Sequence, residues 1–164
     1  MPPLSEISNE ISAATGKTFV CKNQQASGGG CINSTYIISD GRDSYFVKLN
    51  SANLSEMFVA EAEGLNEIRL SNSIRVPAVI CTGATDTQAY LVLEHLQFSH
   101  GDNRSHQQLG HDLAQMHRHC SEQFGWQKNN TIGSTPQHNK QGSDWIEFWR
   151  TQRLAFQLQL AANN

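Results

Sequence analysis

Apolar residues recur along this 164-residue chain in two different periods, and the switches between them lay out its elements. Leu4, Ile7 and Ile11 stand at helical spacing, with Ser5 available as a cap and Gly16 as a stop, so a short amphipathic helix opens the chain. Residues 18–21 are rich in β-formers and predict a first strand. The run 27–30, Ser-Gly-Gly-Gly, predicts a turn, and 31–39, with Ile32, Tyr36, Ile37 and Ile38, a second strand. Asp40-Gly41 is a hairpin signal, and 44–50 reads as a third strand.

The period then changes. Phe58, Ala62, Leu65 and Ile68 recur at three and four and place an apolar stripe on a helix over 54–70. Two further strands follow at 76–82 and 89–93, separated by the turn-rich 83–86. Polar residues 97–107 predict a linker, after which Leu109, Leu113 and Met116 mark another amphipathic helix. This order lacks the strand-helix alternation of a parallel doubly wound sheet. It predicts an α+β architecture: a five-stranded antiparallel lobe with one covering helix over 1–96, then a linker and helices over 97–164.

Composition narrows the functional classes. With 38% apolar and 16% charged residues the chain can bury an ordinary core. The net charge of -3 and the absence of any basic run argue against a nucleic-acid partner. No apolar run approaches the roughly 18 residues of a membrane span, and the first ten residues lack the basic and apolar regions of a secretory signal, so a cytoplasmic location is expected. Cys21, Cys31, Cys81 and Cys120 are scattered without a CxxC pair, which predicts reduced thiols rather than a zinc knuckle or a disulfide framework.

Four features carry candidate chemistry. The glycines Gly28, Gly29 and Gly30 could bring backbone N–H groups close to phosphate oxygens, although the G-x-G-x-x-G spacing is missing and an ordinary hairpin turn would use the same residues. Lys48 lies inside the strand Tyr-Phe-Val-Lys-Leu and shares a face with Phe46, so it needs a buried partner unless it runs along an edge. Glu61 and Glu63 are the candidate partners. Because two residues along a helix rotate by about 200°, only one can face the sheet, and Glu61, one turn after Phe58, is the better placed. Glu61 could equally be one of the many exposed glutamates that do nothing. The apolar run ending at Glu94, His95 and Leu96 leads into the polar linker as an interlobe hinge does, and backbone groups at Glu94 and Leu96 could bond a purine edge.

Glycine turn, strand lysine, helix glutamate and hinge occur in the order of a kinase nucleotide lobe. The stretches GGGCIN, YFVKLN, MFVAEAEGL, VPAVICTG, YLVLEHL, LGHDLAQMH, FGWQKNNTIGSTPQHN and DWIEFWRTQRL make the resemblance more specific. Together, from about Phe19 onward, they resemble the fructosamine (ketosamine) kinases, relatives of aminoglycoside and choline kinases with a protein-kinase-like fold. The resemblance implies that Gly28, Gly29, Gly30, Cys31 and Asn33 form the phosphate loop. It makes Lys48 the ATP-phosphate lysine, Glu61 its pairing glutamate, and Glu94, His95 and Leu96 the hinge. It implies transfer of the γ-phosphate of ATP, with Mg²⁺, to the sugar moiety of ketosamines, either small molecules or glycated protein lysines. It also offers Cys31 as a redox-regulatory cysteine able to join a homodimer.

The family's catalytic loop resembles HGDLWxGN. His100-Gly101-Asp102 is not expected to be that loop: it follows the hinge too closely, Asn103 and Arg104 stand where leucine and tryptophan belong, and no metal asparagine follows. The chain is therefore expected to represent the front portion of such a kinase, with no catalytic residue or metal ligand of its own, inactive alone, and with the Mg²⁺ ligands in a helical lobe beyond it. His100, His106, His111, His117 and His119 are not at ligand spacing. Trp145, Ile146, Phe148, Trp149, Leu154 and Leu158 predict a helix with more apolar face than this length of chain can cover. The rivals to a ketosamine kinase are another small-molecule kinase of the aminoglycoside or choline type and a non-catalytic nucleotide-binding or interaction module.

Overall fold

In the computed structural model, residues 2–28 and 32–163 are described, and they fall into two compact units, 1–118 and 119–164. Gly29, Gly30 and Cys31 lie outside the described residues.

The first unit is built on five antiparallel strands in the order β1-β2-β3-β5-β4: β1 Asn23–Ala26, β2 Ser34–Ser39, β3 Ser44–Ser51, β4 Val79–Ala84 and β5 Gln88–Glu94. Alternation along the central strands sends side chains to two separate cores. Val47, Leu49, Tyr90 and Val92 join Ile7 and Ile11 of helix α1, Leu4–Thr15, on one face. Ala89, Leu91 and Leu93 join Phe58 and Ala62 of helix α2, Ser55–Leu70, on the other. The expected covering helix is α2, and α1 adds a second cover on the opposite face. With both faces covered, β5 reads as the unbroken apolar run Ala-Tyr-Leu-Val-Leu, all five residues buried.

Local chemistry moves several boundaries away from the sequence expectation. Residues 18–21 form no strand. Their backbone is bonded by helix α1 instead: Phe19 N–H donates to Ser12 Oγ (2.9 Å) and Cys21 N–H to Ser8 Oγ (3.3 Å), while the Phe19 ring is buried under that helix. The first strand is the polar, exposed Asn-Gln-Gln-Ala of β1, which pairs with Tyr36 to Ser39 of β2. Gly16 ends α1 in the left-handed region (φ 69°), as its position suggested. Ser5 does not cap the helix: the cap position is Pro3, and the Ser5 hydroxyl donates to Glu6 (2.6 Å). Gly83 and Ala84, expected in a turn, complete β4.

The expected linker ends early, because helix α3 begins at Asn103 and runs to Met116. Asp102 starts it. Its Oδ1 accepts from Ser105 N–H (2.7 Å) and Ser105 Oγ (2.6 Å), and its own N–H donates back to Ser105 Oγ (3.3 Å). The aspartate of His100-Gly101-Asp102 is thus spent on a helix cap, and its bonds to Ser105 hold its carboxyl below the usual range.

The second unit contains a hairpin that the pattern did not show: β6 Asn130–Ile132 and β7 Thr135–Gln137. Its centre is polar. Asn139, 3% exposed, donates its amide to Lys128 O (3.0 Å) and Asn130 Oδ1 (2.8 Å), and its Oδ1 accepts from Arg153 (2.6 Å). Its backbone N–H donates to Asn129 Oδ1 (2.9 Å), and its carbonyl accepts from Trp126 N–H (3.0 Å). Arg153 also bonds the His138 carbonyl and lies over the Phe148 ring (4.8 Å). The expected helix is present as α4 Trp145–Trp149, a π-helical stretch Arg150–Ala155 and α5 Phe156–Ala162. Phe148 is buried, whereas Trp145, Ile146, Trp149, Leu154 and Leu158 are exposed.

Candidate nucleotide-binding hollow

On the α2 side of the sheet, one row of cross-strand partners, Ile37 on β2, Phe46 on β3 and Leu93 on β5, makes a flat apolar floor. Leu65 of α2 and Pro77 of the segment before β4 stand around it, enclosing a hollow of about 350 Å³. That volume lies in the range of small-molecule sites, which combine apolar walls with a few fixed polar groups. Phe98, 91% exposed, stands at the rim.

The polar groups come from three directions. Lys48 follows Phe46 by two residues, so the pleat sends it to the same face, where its Nζ meets Glu61 Oε1 at 2.5 Å. Both side chains are partly exposed (24% and 30%), which leaves the ammonium paired yet accessible from the hollow. An ammonium held in this way can meet phosphate oxygens without a search over its rotamers. At the β1 end, Ser27 lines the same hollow. Gly28 has open space where a Cβ would stand.

The segment leaving β5 forms the third side. Glu94, His95 and Leu96 all line the hollow, but their bonds divide the work differently from the sequence reading. Glu94 N–H donates to the Ala78 carbonyl (2.8 Å), so this group is committed to the sheet rather than open to a ligand. The Glu94 carboxylate accepts from Arg75 Nη2 (2.8 Å) and Ala78 N–H (3.2 Å), tying the strand end to the segment that carries Pro77. The Ala78 N–H, reinforced by the Arg75 guanidinium, holds the Glu94 carboxyl below its ordinary range. His95 Nδ1 lies 2.8 Å from Ser44 Oγ.

Asn33 does not point freely at the hollow: its Oδ1 accepts from Asn50 Nδ2 (2.7 Å). Asn50, Thr35, Ser44 and Arg75 are the polar residues that the sequence reading missed. Alternation along β3 could have flagged Asn50, two residues beyond Lys48 on the same face. Arg75 gave no signal, because its partner is 19 residues away. Cys31 lies outside the described residues. Among the described residues no disulfide joins Cys21, Cys81 or Cys120, and burial pushes the Cys81 thiol up to about 12.

An antiparallel five-stranded sheet with a helix laid across it, its glutamate on a central-strand lysine, is the small-lobe architecture of the protein-kinase-like fold. The chain belongs within that fold to the fructosamine kinase family, whose sequence profile matches residues 3–164. A probable ketoamine kinase of Synechocystis sp. is 44% identical over 97% of this chain and 54% of its own length. The chloroplastic protein-ribulosamine 3-kinase of rice (Oryza sativa subsp. japonica) is 40% identical over 88% of this chain and 43% of its own. A crystal structure provisionally named as a fructosamine-3-kinase, from Haemophilus somnus 129PT, superposes with a TM-score of 0.90 at 28% identity, covering 96% of this chain and 54% of that one. The chain spans about half the length of the relatives it matches.

Proposed function

We propose that the hollow beneath α2 holds ATP, and that the activity to which this chain contributes is transfer of the γ-phosphate to the sugar moiety of a ketosamine, whether a small molecule or a glycated protein lysine. The observation that carries the reading is the Lys48–Glu61 pair opening onto the same hollow as Ser27 and the 94–96 segment. The purine lies on the Ile37, Phe46 and Leu93 floor, with the Leu96 backbone at its edge. The phosphates extend toward Lys48 and Gly28. Residues 1–96 act as the nucleotide lobe, and 97–164 open the helical lobe. The ketosamine follows from the names of the relatives, a ketoamine kinase and a protein-ribulosamine 3-kinase.

Phosphoryl transfer asks the protein mainly for positioning and for charge placed where negative charge develops. Lys48 supplies one such charge, and Glu61 keeps it in place. Mg²⁺ accompanies ATP in this chemistry, but the residues of the hollow do not fit a metal: its carboxylates Glu61 and Glu94 are each already paired with a cation, and no group of three metal-ligating side chains is gathered among the described residues.

Calorimetric titration with ATP tests the reading. Lys48→Met is expected to weaken ATP binding at least tenfold and to leave adenosine binding within twofold, because the lysine meets only the phosphates. Equal ATP affinity in the two proteins removes the proposed role of Lys48.

A further inference from the structure

Three hydrogen bonds tie residues 75–78 to the end of β5, and Glu94 makes all three. Its N–H donates to the Ala78 carbonyl (2.8 Å), its Oε2 accepts from the Ala78 N–H (3.2 Å) and its Oε1 accepts from Arg75 Nη2 (2.8 Å). The ladder just beyond is irregular. Val79 pairs with Leu93 and Cys81 with Val92, so Ile80 has no cross-strand partner of its own and β4 enters the sheet through a bulge, where a strand bends. Pro77 has no N–H to add. The course of 75–78 is therefore set by Glu94 rather than by regular sheet pairing.

Pro77 forms one wall of the hollow, and Glu94, His95 and Leu96 form another. One residue holds both. The Arg75 side chain is 75% exposed, so its ion pair is screened by water and adds little to global stability. What it supplies is direction: with one carboxylate oxygen engaged by the guanidinium, the other is turned to the Ala78 N–H. Selecting a base asks for such a fixed edge. Adenine presents an amino donor beside a ring-nitrogen acceptor, and guanine an oxygen acceptor beside a ring N–H. Backbone groups that satisfy one edge oppose the other, provided they cannot shift.

We propose that Glu94 and Arg75 are positioning residues that hold Pro77 and the 95–96 segment at a fixed spacing, and so set the preference of the hollow for adenine over guanine. The inference rests on the ATP reading of the hollow. Neither side chain has to touch the base for this.

Calorimetry on the 164-residue chain with adenosine and with guanosine tests this, because the preference between two bases does not follow global stability. Wild type should bind adenosine at least about tenfold more tightly than guanosine. Glu94→Ala and Arg75→Ala should each cut that ratio about three- to tenfold, and Arg75→Lys, which keeps a cation beside the carboxylate, should hold it within about twofold of wild type. Amide hydrogen exchange without ligand should show the Ala78 amide opening at least about fivefold faster in Glu94→Ala. An unchanged ratio in both alanine variants overturns the proposal whatever the exchange shows. A wild-type chain that binds the two nucleosides alike, or neither of them, removes the ATP reading and the proposal with it, so the wild-type titration tells the two failures apart.

Discussion

The Lys48–Glu61 contact permits a quantitative test, because each partner can be changed without altering its shape much. A double-mutant cycle of Lys48→Met, Glu61→Gln and the pair isolates their coupling. Two unit charges about 4 Å apart attract by about 4 kcal/mol at an effective dielectric of about 20. Most of that is lost to desolvation and screening, since the side chains keep 24% and 30% of their exposure. A coupling of about 1–2 kcal/mol is expected, above the ~0.2–1 kcal/mol of fully exposed pairs. The first unit holds Tyr36, Tyr45 and Tyr90, and the three tryptophans, Trp126, Trp145 and Trp149, all lie in the second, so urea unfolding followed by tyrosine fluorescence excited in the tryptophan-free variants, or by far-UV circular dichroism, reports on the sheet. Raising the salt from about 0.05 to 0.5 M should shrink the coupling without abolishing it. A coupling below about 0.3 kcal/mol, the usual error of such additivity tests, would refute the claim that the lysine is held in place by the glutamate.

Three further outcomes are expected. The Glu94 carboxyl is held low in the folded state, so its contribution is present above its unfolded value of about 4.3 and is lost as pH falls through the lower folded value; Glu94→Gln should lose stability at neutral pH and show a flatter acid limb below about pH 5 in thermal melts. At Gly125, where φ is +105° and an added Cβ would stand 2.7 Å from the Asn139 carbonyl, Gly125→Ala should cost at least about 1–3 kcal/mol and disturb tryptophan emission before the sheet melts. Cys81, its thiol pushed up to about 12 by burial, should be alkylated by iodoacetamide at pH 8 well after the exposed Cys120, as peptide mapping would show.

Much of the first unit was legible because burial on two faces writes itself into the sequence. The 2-residue period of β3 put Lys48 beside Phe46, and the 3.6-residue period of α2 put Glu61 one turn from Phe58, which together define the side of the sheet on which the hollow opens. What was not legible depends on long-range bonds. The β-rich stretch 18–21 failed to become a strand because serines of α1 satisfy its backbone, and the polar 23–26 became one because an exposed edge needs no apolar pattern. Asp102, set aside as a catalytic aspartate and read as linker, proved to be a helix cap. Thr35 and Asn50 are ordinary polar residues in strands until their partners 8 and 17 residues away are known. In the second unit the hairpin escaped notice because directional bonds to Asn139, rather than an apolar face, hold its surroundings together.

That hub has a consequence for how the segment can change over time. Asn139 uses its two amide protons, its amide oxygen, its backbone N–H and its carbonyl on five different residues, from Trp126 to Arg153. An oily contact tolerates gradual drift, one methyl group at a time, but a donor cannot be exchanged for an acceptor without stranding its neighbour. The residues bonded to Asn139, from Trp126 to Arg153, should therefore change together or hardly at all.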